Sequence, residues 1–230
     1  MAENVTTSGA RVTDESPSTT RALIWCGVAG PLLLIVVAVI QVLTRPGFDV
    51  TRHEIALLSN GDLGWVQIAN FVVSGALLAA GGVGMRRALR GVRGGTWGPL
   101  LIGVYGLTLI GTGAFVADAR AGFPPGTPAG PPAGGLSWHG MLHLLFGVVG
   151  FVALLAGCIV VARMMAGLRQ WAWVAFSTIA AAYFLVGFVG VIVSTGAFAV
   201  VDVDLSLLVV MIWASAVAAW VLWSRYRTAR

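Results

Sequence analysis

Residues 138–162 read WHGMLHLLFGVVGFVALLAGCIVVA, and this run of 25 residues contains no Asp, Glu, Lys or Arg. An α-helix rises 1.5 Å per residue, so the run is long enough to cross the ~30 Å hydrocarbon core of a bilayer. The backbone of a segment in lipid has to satisfy its own hydrogen bonds, which favours a helix over an isolated strand. This stretch therefore predicts a transmembrane helix.

Five further segments have the same apolar character and also lack Asp, Glu and Arg: Ala22–Leu43, Trp65–Met85, Trp97–Ala117, Trp171–Ser194 and Leu205–Ser224. With Trp138–Ala162 they make six. The whole chain is 58% hydrophobic and 10% charged, whereas a soluble domain carries about 25% charged residues. We expect an all-α polytopic membrane protein, a bundle of six transmembrane helices in a lipid bilayer.

The basic residues predict the orientation of this bundle. All 14 are arginines, and they lie between the apolar segments, which favours a topology signal over a nucleic-acid-binding surface. With the N-terminus in the cytoplasm, eleven arginines are cytoplasmic and three are outside. We therefore predict N-in and C-in, with a disordered cytoplasmic tail at 1–21, a membrane domain at 22–224 and a basic cytoplasmic end at 225–230.

The predicted outer connections differ in character. In the first, Thr51 and Glu54 have the spacing of a capping box and predict a short helix over Arg52–Ser59. The second, Asp118–Ser137, contains five glycines and five prolines, which predicts an extended cover without helix or sheet. The third is expected to run from Thr195 to Asp204.

The sharpest candidate site combines Asp118 with His139 and His143. The two histidines are four residues apart, so they share one face at the outer start of the fourth helix. Asp118 follows the third, antiparallel helix. Two imidazoles and one carboxylate would make a three-ligand metal site, with zinc as the natural ion and its bound water as a hydrolytic nucleophile. Glu54 or Asp62 would then serve as the base.

Two other interpretations of these residues stay open. A His-x-x-x-His pair alone is a weak pattern and lacks the adjacent Glu of metalloprotease helices. The same residues would also form a polar site without metal, or make purely structural hydrogen bonds near the headgroups. His143 lies deeper in its apolar segment, where ionisable groups are costly and often functional.

Further candidate ligand-binding residues lie on the same predicted side: Arg52, His53, Ser59, Asp62 and Asn70. A second set would line a polar cavity below the outer loops or make interhelical hydrogen bonds: Gln41, Gln67, Asn70, Thr112 and Ser194. The sequence does not choose between these roles.

Four motifs together resemble a known family: FDVTRHEIALLS at 48–59, GAFVAD at 113–118, GFPPG at 122–126 and SWHGMLH at 137–143. This combination resembles the six-helix bacterial membrane family catalogued as domain of unknown function 998. The resemblance implies a six-helix fold and a bacterial plasma-membrane location, and it implies no activity. It also suggests Asp118, His139, His143, Arg52 and Ser59 as the family's characteristic polar positions.

The leading functional hypothesis is a multi-pass membrane protein with an outward-facing polar site for a small polar or lipid-headgroup ligand. One alternative is a metal-dependent membrane hydrolase acting on lipid or envelope substrates. A second alternative is a passive transporter or an accessory or scaffold protein. The sequence leaves the protein partner, the oligomeric state and any enzymatic activity open.

Overall fold

The fold was analysed in a computed structural model that describes residues 17–132, 134–193 and 196–227. Within these ranges the chain forms six long α-helices, one short 3-10 helix and no named strand. The helices are α1 (Pro17–Thr44), the 3-10 helix (Ile55–Ser59), α2 (Gly64–Ala88), α3 (Trp97–Ala114), α4 (Trp138–Gly167), α5 (Trp171–Val193) and α6 (Ala197–Tyr226). The predicted all-α class is confirmed.

Each of the six described α-helices is long and apolar enough to cross a membrane. Consecutive helices pack against each other, and α6 returns to α1, so the bundle closes into a ring. Small residues allow close approach: a Cβ on Gly81 would collide with the backbone of Gly27, and a Cβ on Gly75 with the carbonyl oxygen of Gly106. Such close packing drives helix association in lipid, because the lipid is itself apolar and burial of apolar side chains there gives no hydrophobic gain.

The helices define two ends of the bundle. The loop end carries residues 45–63, the connection 115–137 and the start of α6. The arginine end carries residues 89–96, residues 168–170 and the end of α6. Every acidic residue in the described part of the chain lies at the loop end: Asp49, Glu54, Asp62, Asp118, Asp202 and Asp204.

Several predicted boundaries were wrong. Helix α6 begins at Ala197 and not at Leu205, so Asp202 and Asp204 belong to the helix and not to the third connection. Both carboxylates have donors there: Asp202 accepts from the Tyr183 hydroxyl, and Asp204 accepts from the backbone N–H of Ile55. A helix can carry acids in an apolar run when their charge is met by such partners.

Two other ends also differ. Helix α1 begins at Pro17, a residue type suited to the first helical position, so the last residues of the predicted tail are helical. Residues 1–16 and 228–230 lie outside the described residues. Helix α3 ends at Ala114 because Phe115 has an extended backbone with φ −112° and ψ 98°.

The predicted helix over Arg52–Ser59 was too long, and its capping box does not form. The 3-10 helix starts at Ile55, and Glu54 makes no side-chain cap. The Thr51 hydroxyl and backbone N–H both donate to Asp49, while Glu54 binds Arg120. Side-chain partners elsewhere therefore outcompete the local cap.

Candidate functional site

The two longer connections of the loop end pack together into one cover. Phe123 from the second connection is fully buried beside Leu57 and Leu58 of the 3-10 helix. Arg120 and Phe123 form an isolated antiparallel bridge, and Ala121 donates to the carbonyl of Gly130. The described part of the Pro/Gly-rich connection is thus neither helix nor sheet, as predicted, and it is ordered by the residues beneath it.

His53 forms hydrogen bonds with both connections and holds them together. Its side chain is only 2% exposed and lies between the rings of Phe48 and Phe123. Nδ1 accepts the N–H of Asp49 at 2.9 Å, and Nε2 lies 3.0 Å from the carbonyl oxygen of Ala121. Since a carbonyl oxygen only accepts, Nε2 carries the hydrogen, and both ring nitrogens are engaged within the cover.

Asp118, His139 and His143 lie at the junction between the end of α3 and the start of α4, and their contacts are to the ends of these helices. Nδ1 of His143 lies 2.8 Å from the carbonyl oxygen of Phe115 and 3.1 Å from that of Thr112. Nδ1 of His139 lies 3.0 Å from the carbonyl oxygen of Val116. These carbonyls lie at and just beyond the end of α3, where a helix leaves its last acceptors without intrahelical donors.

The Asp118 side chain binds the start of α4, whereas the histidines contact the end of α3. Its carboxylate accepts the backbone N–H and the hydroxyl of Ser137. Ser137 is the N-cap of α4, and its side chain accepts the N–H of Gly140 at 3.1 Å. The Asp/His/His group therefore ties the end of α3 to the beginning of α4 from both sides.

The electrostatics of Asp118 agree with this capping role. Burial raises the pKa of its carboxyl, but the Ser137 hydrogen bonds and the neighbouring His139 and Arg120 more than offset that effect. The pKa of Asp118 therefore lies below its ordinary value. The ionised form is the one that the start of α4 stabilises.

The geometry gives no support to the predicted zinc site. Among the described residues no three His, Cys, Asp or Glu groups are placed to hold a metal ion. Nδ1 of each histidine faces a backbone carbonyl, so this nitrogen carries the hydrogen and is not free to bind a metal.

A cavity of about 520 Å³ lies beneath the cover, among α3, α4, α5 and α6. Its volume falls within the 300–1,000 Å³ typical of small-molecule sites. The α4 residues that line it run from Gly140 to Phe151, a rise of ~17 Å. This depth is about half of a ~30 Å hydrocarbon core.

The two ends of this cavity differ in chemistry. The deep end is aromatic, with Phe151 in contact with Phe184 and Phe188 at ring-centroid distances of 4.6 and 3.7 Å. The charged and imidazole side chains lie at the loop end: Glu54, Asp118, Arg120, His143 and Asp204. The cavity thus has an apolar body and a polar cap.

The polar cap contains an acceptor that the protein leaves unused. Arg120 Nη2 lies 2.9 Å from Glu54 Oε1, while the buried Glu54 Oε2 has no hydrogen-bond partner among the described residues. Asp204 lies close enough to Glu54 for their charges to interact, and its oxygens are 3.2 and 3.4 Å from the Ile55 nitrogen. A buried carboxylate oxygen without a donor is costly, so this end of the cavity favours a ligand that donates hydrogen bonds.

The cavity opens sideways between α4 and α5. Leu144 of α4 and Ile192 of α5 both line it, yet they are 54% and 66% exposed. An apolar wall that is open at membrane depth faces hydrocarbon in a transmembrane bundle. A molecule can therefore reach the cavity laterally from the bilayer.

The other predicted ligand-binding residues lie outside this cavity. Arg52 donates to the carbonyl of Ala121 within the cover, and the Ser59 hydroxyl donates to the carbonyl of Ala56. Asp62 is exposed; its charge partly offsets the lowering of the Arg45 pKa by burial. Asn70 lies between α1 and α2, where it donates to the carbonyl of Leu34.

The buried amides of α1 and α2 make interhelical hydrogen bonds. Gln41 donates to Gln67 at 2.6 Å, and Asn70 donates to the carbonyl of Leu34 at 3.1 Å. Thr112 bonds within its own helix, to the carbonyl of Leu109, although it also lines the cavity. Ser194 lies outside the described residues.

Arg120 and Asp204 are the site residues that sequence reasoning missed. Arg120 was counted only as a topology signal, and Asp204 was assigned to a loop. The signal for Asp204 was its position in an otherwise apolar run, VVDVDLSLLVV at 200–210, because an acid in such a run needs a local partner.

The described chain has the fold of a multi-pass membrane protein with six helices, and its cavity lies among four of them, α3 to α6. The family model described as "Protein of unknown function (DUF998)" matches residues 28–225, and the chain belongs to that family. The predicted resemblance is thereby confirmed. No curated protein and no solved structure matches the chain.

Proposed function

We propose that the protein binds a lipid or lipid-like amphipathic molecule from the outer part of the bilayer. The observation that carries this proposal is the cavity itself, which combines an aromatic body with a charged cap. A chain or ring system would occupy the space near Phe151, Phe184 and Phe188, and a headgroup would lie against Glu54 and Asp204. Apolar walls with a small number of polar groups are typical of small-molecule sites.

The cap favours a headgroup with hydrogen-bond donors, such as an amine or a hydroxyl. Its acceptors are the unpaired oxygen of Glu54, the carboxylate of Asp204 and Nε2 of His143. Nε2 is an acceptor because Nδ1 must carry the hydrogen that meets the carbonyls of Phe115 and Thr112. Arg120 is already paired to Glu54, and it would also meet a phosphate of a zwitterionic headgroup.

Hydrolase and carrier roles receive less support. No three His, Cys, Asp or Glu side chains among the described residues are placed to hold a catalytic zinc. A carrier needs a polar route to the arginine end, but the residues beyond the deep end are apolar and buried, including Leu154 and Cys158. Binding is therefore the function that the cavity supports best.

We further propose that the loop end faces outward from a bacterial plasma membrane, with both termini in the cytoplasm. Eleven of the 14 arginines then lie on the cytoplasmic side, as the positive-inside rule requires. In this orientation the cavity opens to the outer half of the bilayer.

The test compares two lipids with the same acyl chains. Native mass spectrometry of the full chain in detergent would be titrated with dioleoyl phosphatidylethanolamine and with dioleoyl phosphatidylcholine. The ammonium of phosphatidylethanolamine donates hydrogen bonds, and the quaternary amine of phosphatidylcholine does not. We expect tighter binding of phosphatidylethanolamine by roughly tenfold, the worth of about one charge-assisted hydrogen bond.

Two variants test whether the charged end of the cavity causes the preference for phosphatidylethanolamine. Glu54→Gln removes the carboxylate that faces the cavity and should abolish the preference. Asp62→Asn removes an exposed acid on the same connection, outside the cavity, and should keep it. The proposed headgroup site would be refuted if the wild type bound both lipids with equal affinity. It would also be refuted if Glu54→Gln and Asp62→Asn lost the preference for phosphatidylethanolamine to the same extent.

A further inference from the structure

A second concave surface lies at the arginine end, on the outside of the bundle between α2 and α3. It encloses about 680 Å³ and is lined by small and apolar residues of both helices, among them Gly82, Val83, Gly103 and Leu107. Val83 and Leu107 are exposed on the outer surface of the bundle, so this groove faces the hydrocarbon of the bilayer. It is separate from the capped cavity, which lies at the loop end.

Glycines form the floor of the groove. A Cβ on Gly82 would come within 2.7 Å of the carbonyl oxygen of Pro99 and 2.9 Å of the Cα of Gly103. The backbones of α2 and α3 therefore meet here without side chains between them, and the groove runs along this contact.

Three arginines line the end of this groove: Arg86, Arg87 and Arg90. Arg86 and Arg90 are exposed and both border the groove, Arg86 in the last turn of α2 and Arg90 just after it. All acidic side chains of the described residues lie at the opposite end of the bundle, so carboxylates in those ranges do not neutralise this rim. A topology signal explains why arginines lie at this end, but it does not require them to border a groove.

We infer that this groove is a binding site for an anionic phospholipid. The guanidinium groups of Arg86 and Arg90 would hold the phosphate, which matches the planar donor geometry of arginine. An acyl chain would lie over Gly82, Val83 and Gly103. Basic pockets between transmembrane helices at the membrane surface bind anionic headgroups in this way.

The experiment uses the full chain in detergent and measures the binding of dioleoyl phosphatidylglycerol by native mass spectrometry, with dioleoyl phosphatidylcholine as the uncharged reference. The double variant Arg86→Gln/Arg90→Gln should lower phosphatidylglycerol affinity at least tenfold, because each surface arginine contributes about one order of magnitude or slightly less. Its phosphatidylcholine binding should stay unchanged. The matched control is Arg169→Gln/Arg225→Gln, which removes the same charge at the same end from exposed positions that do not line the groove.

A third variant distinguishes binding in the groove from attraction by the net positive charge of the arginine end. Val83→Trp fills the groove and keeps all the arginines, and it should also weaken phosphatidylglycerol binding several-fold. An equal loss in the two double arginine variants, with no effect of Val83→Trp, would show that net charge alone attracts the lipid and would overturn the inference. The loop-end test with Glu54→Gln is independent of this outcome.

Discussion

Arg120 Nη2 lies 2.9 Å from Glu54 Oε1, and this ion pair joins the connection after α3 to the connection after α1 at the polar end of the cavity. The pair is partly exposed, with the Arg120 side chain at 36% and that of Glu54 at 20%. Asp204 of α6 also lies close enough to Glu54 to interact with its charge. Arg120 is the basic partner of Glu54 in this pair, which makes the effects of removing each partner unequal.

We expect Arg120→Gln to destabilise the protein more than Glu54→Gln. Loss of Arg120 leaves Glu54 beside Asp204 without a counter-charge, whereas loss of the Glu54 charge leaves a partly solvated arginine. Pairs of this exposure contribute about 0.5–1 kcal/mol, so the difference should be of that order. Thermal unfolding in detergent measures it. A loss in Arg120→Gln that equals or falls below the loss in Glu54→Gln would contradict this arrangement of the ion pair.

His143 should matter more for stability than His139. His143 meets two carbonyls at the end of α3, while His139 meets one and its side chain is 42% exposed. We expect His143→Ala to cost about 1–3 kcal/mol, the usual cost of leaving buried polar groups without partners. His139→Ala should cost less than 1 kcal/mol. The melting temperatures of the two single variants provide the comparison.

The placement of the side chains also predicts the response to metal. Addition of zinc should leave the melting temperature of the wild type unchanged, because no three His, Cys, Asp or Glu groups among the described residues are placed to hold the ion. A zinc-dependent rise that disappears in both alanine variants would instead support the metal-site hypothesis drawn from the His-x-x-x-His spacing.

Asp118 should make the stability of the protein depend on pH in the acidic range. Its pKa is lower in the folded protein than in the unfolded chain, so its contribution is complete above the ordinary aspartate pKa of about 3.9 and is lost as the pH falls through the folded value. Asp118→Asn should therefore flatten the loss of melting temperature below about pH 4. The control is Asp62→Asn, and a pH profile that matches the wild type in both variants would exclude this role for Asp118.

The proposed orientation predicts which end a membrane-impermeant thiol reagent reaches in intact cells. In a background with Cys26→Ala and Cys158→Ala, Ala129→Cys at the loop end should be labelled, whereas Gln170→Cys at the arginine end should require permeabilised cells. Both positions are exposed in the folded protein. The reverse pattern would mean that the cavity faces the cytoplasm.

The sequence allowed the helices to be predicted better than their ends. Hydropathy identifies the spans because lipid exposure excludes charge over about 20 residues. It placed the start of α6 too late, since Asp202 and Asp204 interrupt the apolar pattern while their partners, Tyr183 and Ile55, are distant in sequence. The local capping pattern at Thr51 and Glu54 failed for the same reason, because Arg120 binds Glu54 across 66 residues.

The candidate site was predicted in position and not in chemistry. The antiparallel order of α3 and α4 and the four-residue spacing place Asp118, His139 and His143 at one junction between these helices. Their acceptors are backbone carbonyls beyond the end of α3, and no side-chain pattern marks such groups. The cavity depends on the arrangement of four helices, so its lining could not be derived from the spacing within any one of them.

The central claim, that the cavity takes a lipid from the side, is tested most directly by blocking its opening. Gly147 of α4 lines the cavity, and a Cβ there would meet nothing within 4 Å. Gly147→Trp therefore fills the opening without a clash in the bundle. Gly190→Trp on α5 is the matched control, because Gly190 has the same free space and does not line the cavity.

The measurement is the affinity of the full chain for dioleoyl phosphatidylethanolamine by native mass spectrometry in wild type and in both tryptophan variants. We expect at least a tenfold loss of affinity in Gly147→Trp, with wild-type affinity in Gly190→Trp and no fall in melting temperature in either variant. Wild-type affinity in Gly147→Trp would contradict the claim that the lipid occupies this cavity.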